Sequence, residues 1–175
     1  MKTRELVLAA VFAAMIAVIA PVAIPLGVVP ITLQTVIVPL IASITTRRVG
    51  LAAVVVYLLL GLIGLPVFAG WASGVGVLLG PTGGYLIGLV LFPLIISTGL
   101  RWQHNWLAIG FWNAMAALIQ LVIGSLWLAV AMHISVTSAL VTGTVAFAIP
   151  TLIKIVIITV LTMIISRTMR LPIGR

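Results

Sequence analysis

The sequence predicts an all-α, polytopic membrane protein with six transmembrane helices, and three observations predict this class. Of the 175 residues, 64% are hydrophobic and only 6% are charged, whereas about a quarter of a typical soluble domain is charged. The mean hydropathy is +1.46. The basic residues stand in short clusters between long apolar segments, so the net charge of +8 indicates membrane topology rather than nucleic-acid binding.

Six apolar segments follow one another along the chain, separated by charged or Gly/Pro-rich connections. They cover about residues 6–20, 31–45, 49–64, 84–100, 107–131 and 140–166. An upright helix needs about 20 residues to cross a bilayer, so the second and third must use flanking residues or lie in thin membrane. We expect one transmembrane substrate-binding domain over residues 1–175.

The basic residues predict the orientation of these helices. Eight of the nine Lys and Arg residues fall at the N-terminus, in alternate connections or after the last segment, while connections 21–30, 65–83 and 132–139 contain none. The positive-inside rule makes the basic side cytoplasmic, so we expect both termini to be cytoplasmic. The eight are Lys2, Arg4, Arg47, Arg48, Arg101, Arg167, Arg170 and Arg175.

The outer connections are uncharged and rich in Gly and Pro. Residues 21–30 hold three prolines, which exclude a regular helix. The connection 65–83 is long for a simple reversal between helices, although a reversal is the alternative interpretation. Irregular backbone cannot face lipid, so we predict that these loops cap a ligand cavity. Glycines such as Gly70 would let backbone amides approach a ligand.

Lys154 is the one charged residue well inside an apolar segment. Charged residues at such positions generally mark substrate or ion paths; the alternative is a lysine that snorkels to the interface. Thr151 lies three residues earlier and shares its helix face. Pro150 should kink this helix or begin a new segment. We predict a binding site for a small polar ligand here, in the outer half of the membrane.

Three uncharged polar residues lie in other apolar segments. Gln34 is one turn into the second segment, and Asn113 and Gln120 are seven residues apart on one face of the fifth. Two interpretations stay open for Asn113 and Gln120. They bind ligand, or they form interhelical hydrogen bonds, each worth about 1 kcal/mol.

Several functions are excluded by missing residue types. The sequence has no Asp, no Cys and a single carboxylate side chain, Glu5, which excludes paired-carboxylate catalysis and ordinary metal sites. No phosphate-binding loop of the P-loop kind occurs, so this chain cannot hydrolyse ATP alone. We expect neither enzymatic activity nor a cofactor.

The first helix carries a smooth face of alanines. Small residues spaced four apart let another helix approach closely. Packing within the bundle and docking of a separate subunit both fit this pattern. The residues are Ala9, Ala10, Ala13, Ala14 and Ala17.

Three segments of the sequence carry a recognisable pattern: residues 25–35 (PLGVVPITLQT), 57–70 (YLLLGLIGLPVFAG) and 79–88 (LGPTGGYLIG). They resemble the BioY family, the biotin-binding substrate subunits (S components) of energy-coupling factor (ECF) transporters. The resemblance implies six transmembrane helices and high-affinity capture of biotin at the outer face of the cytoplasmic membrane. It also implies that uptake requires an ECF coupling subunit and two cytoplasmic ATPases.

The resemblance assigns roles to particular residues. Thr82, Gly83, Gly84 and Tyr85 match the loop and helix start that line the family's pocket, and Lys154 matches its lysine. The alanine face of the first helix matches the docking surface for the coupling subunit. Together with Gln34, Gly70 and Thr151, these residues complete our candidate binding sites.

One position departs from the family pattern. The family usually has an aspartate three residues before the pocket lysine, and this chain has Thr151 there. A threonine accepts a hydrogen bond but cannot neutralise Lys154. The alternative functions are a self-contained channel or facilitator for a small anion or another vitamin, and a scaffold subunit that binds no ligand.

Overall fold

The computed structural model describes residues 1–25, 27–102 and 105–168 and is mostly helical. Arg170 and Arg175, two of the basic residues used to predict orientation, lie outside these ranges. The helices are α1 (Thr3–Ile19), α2 (Gln34–Ile44), α3 (Arg47–Leu62), α4 (Val75–Leu79), α5 (Gly83–Gly88), α6 (Leu91–Gly99), α7 (Trp106–Met132), α8 (Val136–Leu140) and α9 (Ala148–Thr168).

Most of these helices overlap the six predicted apolar segments, but α4 lies within the connection 65–83 and α8 begins within the connection 132–139. Two continuous helical stretches are long and apolar enough to cross a membrane, Trp106–Met132 and Val136–Thr168. Two more, Gln34–Ile44 and Gly83–Gly99, are apolar but shorter. α2 has only 11 residues, so completion of a span by flanking loop residues stays a prediction.

Prolines determine where the fourth and sixth segments are interrupted. Pro93 has no N–H to donate to the carbonyl of Leu89, and α5 and α6 are separated by a turn at residues 89–90. In the sixth segment, a π-helical turn (Val141–Val145) follows α8, and α9 begins at Ala148. Pro150 therefore lies in the first turn of α9, where its missing N–H costs least. The predicted new segment is present.

The Gly/Pro-rich connections 21–30 and 65–83, called here the first and second outer loops after their predicted side of the membrane, are bonded to each other and to the bundle. Residues Ala23–Ile24 (β1) and Ile31–Thr32 (β2) form a short antiparallel ladder, which the sequence did not predict. The backbone N–H of Gly70 donates to Pro21 O at 3.0 Å, and that of Gly74 donates to Gly61 O at 2.7 Å. The loops are therefore held against the bundle, as a cap requires.

Phe68 anchors the second loop in the core. Its ring is fully buried and packs edge-on against Tyr57, with the ring centroids 5.7 Å apart. A Cβ atom at position 61 would overlap this ring, so Gly61 is what allows Phe68 to enter the bundle. Aromatic pairs of this geometry add about 0.5–1.5 kcal/mol beyond the area they bury.

The alanine face of α1 is divided between two environments. Ala9 and Ala13 are buried in the bundle, where α1 packs mainly against α3. Their side chains fill an internal interface of the isolated chain, and their contact with a separate subunit stays a prediction. Ala10 and Ala14 are exposed and Ala17 is half-buried, so those three remain available.

Candidate functional site

A small cavity lies beneath the outer loops, enclosed by α2, α5, α7, α9 and the loop that carries Phe68. Its volume is about 210 Å³. The walls are mainly apolar, and Lys154 is the only charged side chain among the described residues that line them. Few polar groups in an apolar cavity are typical of a small-molecule site. The polar lining residues are Thr32, Gln34, Thr35, Thr82, Tyr85, Asn113, Gln120, Thr151 and Lys154.

Lys154 reaches from α9 to the start of α2. Its Nζ donates to Thr32 O at 2.9 Å and to Thr35 Oγ1 at 2.6 Å. Both acceptors are neutral, and the chain's single carboxylate, Glu5, is in the first turn of α1. The ammonium charge is therefore hydrogen-bonded but not neutralised. An anion or strong acceptor in the cavity would complete this site.

Thr151 lines the cavity one turn before Lys154, and Ile155 and Ile158 continue the same wall. Since a lysine on a helix leans toward the N-terminus, the Lys154 ammonium lies nearer the outer loops than its own Cα. α9 therefore contributes one hydroxyl, one cation and then only aliphatic groups along the cavity.

α7 supplies the facing polar wall. Asn113 Nδ2 donates to Ile109 O at 2.8 Å and to Ser43 Oγ of α2 at 3.1 Å. Gln120 Nε2 donates to Tyr85 O of α5 at 2.9 Å. Both amides thus form interhelical hydrogen bonds and both line the cavity, so the two interpretations left open by the sequence are compatible.

Gln34 connects the cavity to the second outer loop. Its Nε2 donates to the hydroxyl of Tyr57, and that hydroxyl donates to Val67 O at 3.1 Å. Because the tyrosine hydrogen is used by the carbonyl, Gln34 must present its nitrogen to Tyr57. The Gln34 Oε1 atom is therefore the amide atom that does not bond to Tyr57.

The residues matched to the family loop occupy different positions. Thr82 and Tyr85 line the cavity, and the Tyr85 hydroxyl lies 3.2 Å from Ser125 Oγ. A Cβ atom at Gly84 would overlap Trp127 of α7, and one at Gly83 would overlap the backbone of Leu78.

These contacts give the two glycines a packing role, since a larger residue at either position would separate α5 from its neighbours. The Gly70 amide is used by Pro21 O. Direct ligand contact by Gly70, Gly83 and Gly84 stays a prediction.

Among the lining residues that were not selected from the sequence are Thr32, Thr35 and Phe68. The two threonines flank Gln34, and their oxygens became relevant only when the fold brought Lys154 to them. Phe68 lies in one of the family-like segments, but an aromatic residue in an apolar chain carries no distinguishing signal.

A sequence model of the BioY family matches residues 1–171. The chain belongs to the BioY family. The resemblance recognised in three short segments therefore extends over nearly the whole chain. Proteins of this composition and family are membrane proteins, and the apolar surface of the helices agrees with that location.

Relatives of known name agree with this membership. The chain is 41% identical to "Biotin transporter BioY2" of Lactococcus lactis subsp. cremoris over 91% of this chain and 88% of the relative. It is 34% identical to "Probable biotin transporter BioY" of Pyrococcus horikoshii over 88% and 91% of the two chains.

A solved structure has the same fold. The crystal structure of the S-component for biotin from an ECF-type ABC transporter superposes with a TM-score of 0.85. The match covers 95% of this chain and 92% of the other at 26% identity. The overall helix arrangement is thus similar to that of this S-component.

Proposed function

We propose that this BioY-family chain binds biotin with high affinity as the substrate-specific subunit of an ECF transporter. The observation that carries the proposal is the capped cavity with its unneutralised Lys154, in a chain whose relatives are named biotin transporters. Biotin combines an apolar bicyclic ring with a ureido group and a carboxylate. The cavity offers apolar walls with donors and acceptors on opposite helices, which supports such a ligand.

The whole chain, residues 1–175, forms a single transmembrane substrate-binding domain with six spans and cytoplasmic termini. The alternation of basic and uncharged connections supports this orientation. The capping loops then face outward, and Lys154 lies in the outer half of the membrane. Biotin would then enter from the outer side.

The family resemblance implies that uptake requires an ECF coupling subunit and two cytoplasmic ATPases, and the lack of a phosphate-binding loop in this sequence agrees with ATP hydrolysis by separate subunits. Ala10, Ala14 and Ala17 of α1 are the accessible part of the alanine face. They would contact the coupling subunit, since small side chains permit close helix–helix approach. The chain itself needs neither a cofactor nor a catalytic residue for this role.

Titration of biotin into the purified full chain, without partner subunits, tests the binding claim. We expect saturable one-site binding well below micromolar biotin. A protein that ignores micromolar biotin yet binds another vitamin would refute the substrate assignment. Biotin-independent flux of small anions through liposomes containing only this chain would favour the channel alternative.

The Thr151→Asp variant tests whether the α9 wall is the binding wall. An aspartate here would lie one turn from Lys154 and would add both a countercharge and a strong acceptor. We expect biotin binding to tighten relative to the wild type. Unchanged affinity in a folded Thr151→Asp protein would argue against ligand contact with this turn of α9.

A further inference from the structure

The orientation of the Asn113 amide is determined by its neighbours. Ile109 O can only accept a hydrogen bond, and Ser43 Oγ donates its own hydrogen to Pro39 O at 2.8 Å. Both partners of Asn113 therefore require its nitrogen. Asn113 is only 1% exposed, and its Oδ1 receives no hydrogen bond from any residue in the described ranges.

Gln120 is oriented in the same way. Its nitrogen donates to a backbone carbonyl, Tyr85 O, which no flipped amide could satisfy. The side chain is 3% exposed, and its stem packs where a Cβ atom at Gly88 would lie. Among the described residues, none donates to Gln120 Oε1.

The two amides form one wall of acceptors. They are seven residues apart on the same face of α7, about 10.5 Å along the helix axis, and both line the cavity. The longer Gln120 side chain leans toward the helix N-terminus and so toward Asn113. Asn113 Oδ1 is a buried polar atom that the described residues leave unpaired, and such an atom requires a partner. Both amides belong to the cavity lining, so a ligand in the cavity is the candidate partner.

We propose that Asn113 and Gln120 are specificity-determining residues whose carbonyl oxygens accept hydrogen bonds from N–H groups of the ligand. The inference rests on the proposed function, because biotin carries two such groups, one on each side of its ureido carbonyl. Because the amide nitrogens bond to neighbouring residues, the amides cannot rotate to present N–H groups to the ligand. A ligand without N–H donors would therefore leave the amide oxygens unpaired. The wall therefore selects against molecules of the same shape that cannot donate.

Two lactam analogues of biotin test this, each with CH₂ in place of one ureido N–H. They keep the size of the ligand and remove one donor, so the wild type should bind each about tenfold more weakly than biotin. In each of the variants Gln120→Met and Asn113→Leu, one of the two lactams should bind about as tightly as biotin. The ratio of the affinities for biotin and that lactam should therefore fall to about one. A purely structural role would weaken biotin and lactams equally and leave the ratio unchanged.

Ser97→Ala is the matched control, because Ser97 Oγ is buried and donates to Ala42 O at 2.7 Å away from the cavity lining. It should keep the wild-type ratios. Wild-type protein that binds biotin and both lactams equally would overturn this inference and leave the proposed function intact, even if the α7 variants do not fold. Wild-type protein that does not bind biotin would overturn both.

Discussion

The cavity has two unlike polar walls, a cationic wall on α9 and an amide wall on α7. The α9 wall has one charged side chain, Lys154, whose two protein acceptors are neutral. The α7 wall has two buried amides whose nitrogens are held by backbone carbonyls and a serine. One wall supplies donors and the other supplies acceptors, so a ligand that satisfies both must itself carry acceptors and N–H groups.

The two walls also differ in how they are built. Lys154 gains its position from a long flexible side chain, while Asn113 and Gln120 are fixed by helix packing. Removal of Lys154 should therefore cost a strong interaction without disturbing the bundle. Substitutions around the two amides should act by shifting the positions of the amide groups, so they should reduce biotin affinity less.

The largest effect is expected from Lys154→Met, which keeps the stem and removes the charge. Hydrogen bonds to charged groups contribute about 1.5–3 kcal/mol, so the Kd for biotin should rise roughly tenfold to hundredfold. Calorimetric titration measures this change. Thr159→Ala on the same helix is the control, because Thr159 Oγ1 bonds Ile155 O and does not line the cavity. Equal affinity in Lys154→Met and wild type would exclude Lys154 from the site.

Gly88→Ala should disturb the amide wall. The added Cβ atom would overlap the Gln120 stem and displace its carbonyl oxygen, so biotin affinity should fall about tenfold, roughly one lost hydrogen bond. Gly76→Ala is the control, since a Cβ atom there meets nothing within 4 Å. A Gly88→Ala protein that binds like wild type would show that the position of Gln120 is not critical.

Tyr57→Phe tests how the amide of Gln34 is held. The variant removes the hydroxyl that accepts from Gln34 and donates to Val67 O, but it keeps the ring packed on Phe68. We expect the affinity for biotin to fall about threefold to fivefold, which is less than the loss of a whole hydrogen bond to the ligand would cause. Biotin should also dissociate faster, because the loop is less restrained. Dissociation rates unchanged from wild type would contradict the proposed link between Gln34 and the loop.

Thr35→Val should have the smallest effect. Lys154 keeps Thr32 O as an acceptor and gains a free N–H for the ligand, so biotin affinity should change by less than about threefold. Competition binding with labelled biotin resolves a difference of this size. A loss comparable to that of Lys154→Met would mean that Thr35, rather than the ligand, determines where the ammonium lies.

Much of the architecture followed from sequence patterns that act locally. Apolar segments predicted most of the helices, though not α4, and prolines predicted both the irregular first loop and the new helix start near Pro150. A lysine in an apolar segment predicted the α9 wall. Each of these depends on residues close together in sequence, and the family resemblance added the substrate class.

The remaining features depend on tertiary partners. Sequence periodicity could not divide the α1 alanines, because burial of Ala9 and Ala13 is decided by where α3 packs. Nor could it orient Asn113 and Gln120, since the groups that hold their nitrogens come partly from α2 and α5. The β1–β2 ladder was missed because each strand is two residues long.

The central claim, that biotin binds against Lys154, can be tested through the reactivity of the lysine itself. The sequence contains only two lysines, Lys2 and Lys154, so Lys2 is an internal control. The protein would be treated with a small amine-reactive reagent, with and without saturating biotin. Mass spectrometry would then give the labelling rates of Lys2 and Lys154 in each condition. We predict that biotin slows labelling of Lys154 about tenfold or more, in line with a hydrogen-bonded site that is mostly occupied, while Lys2 is unaffected. Bound biotin that leaves Lys154 as reactive as before would contradict the account.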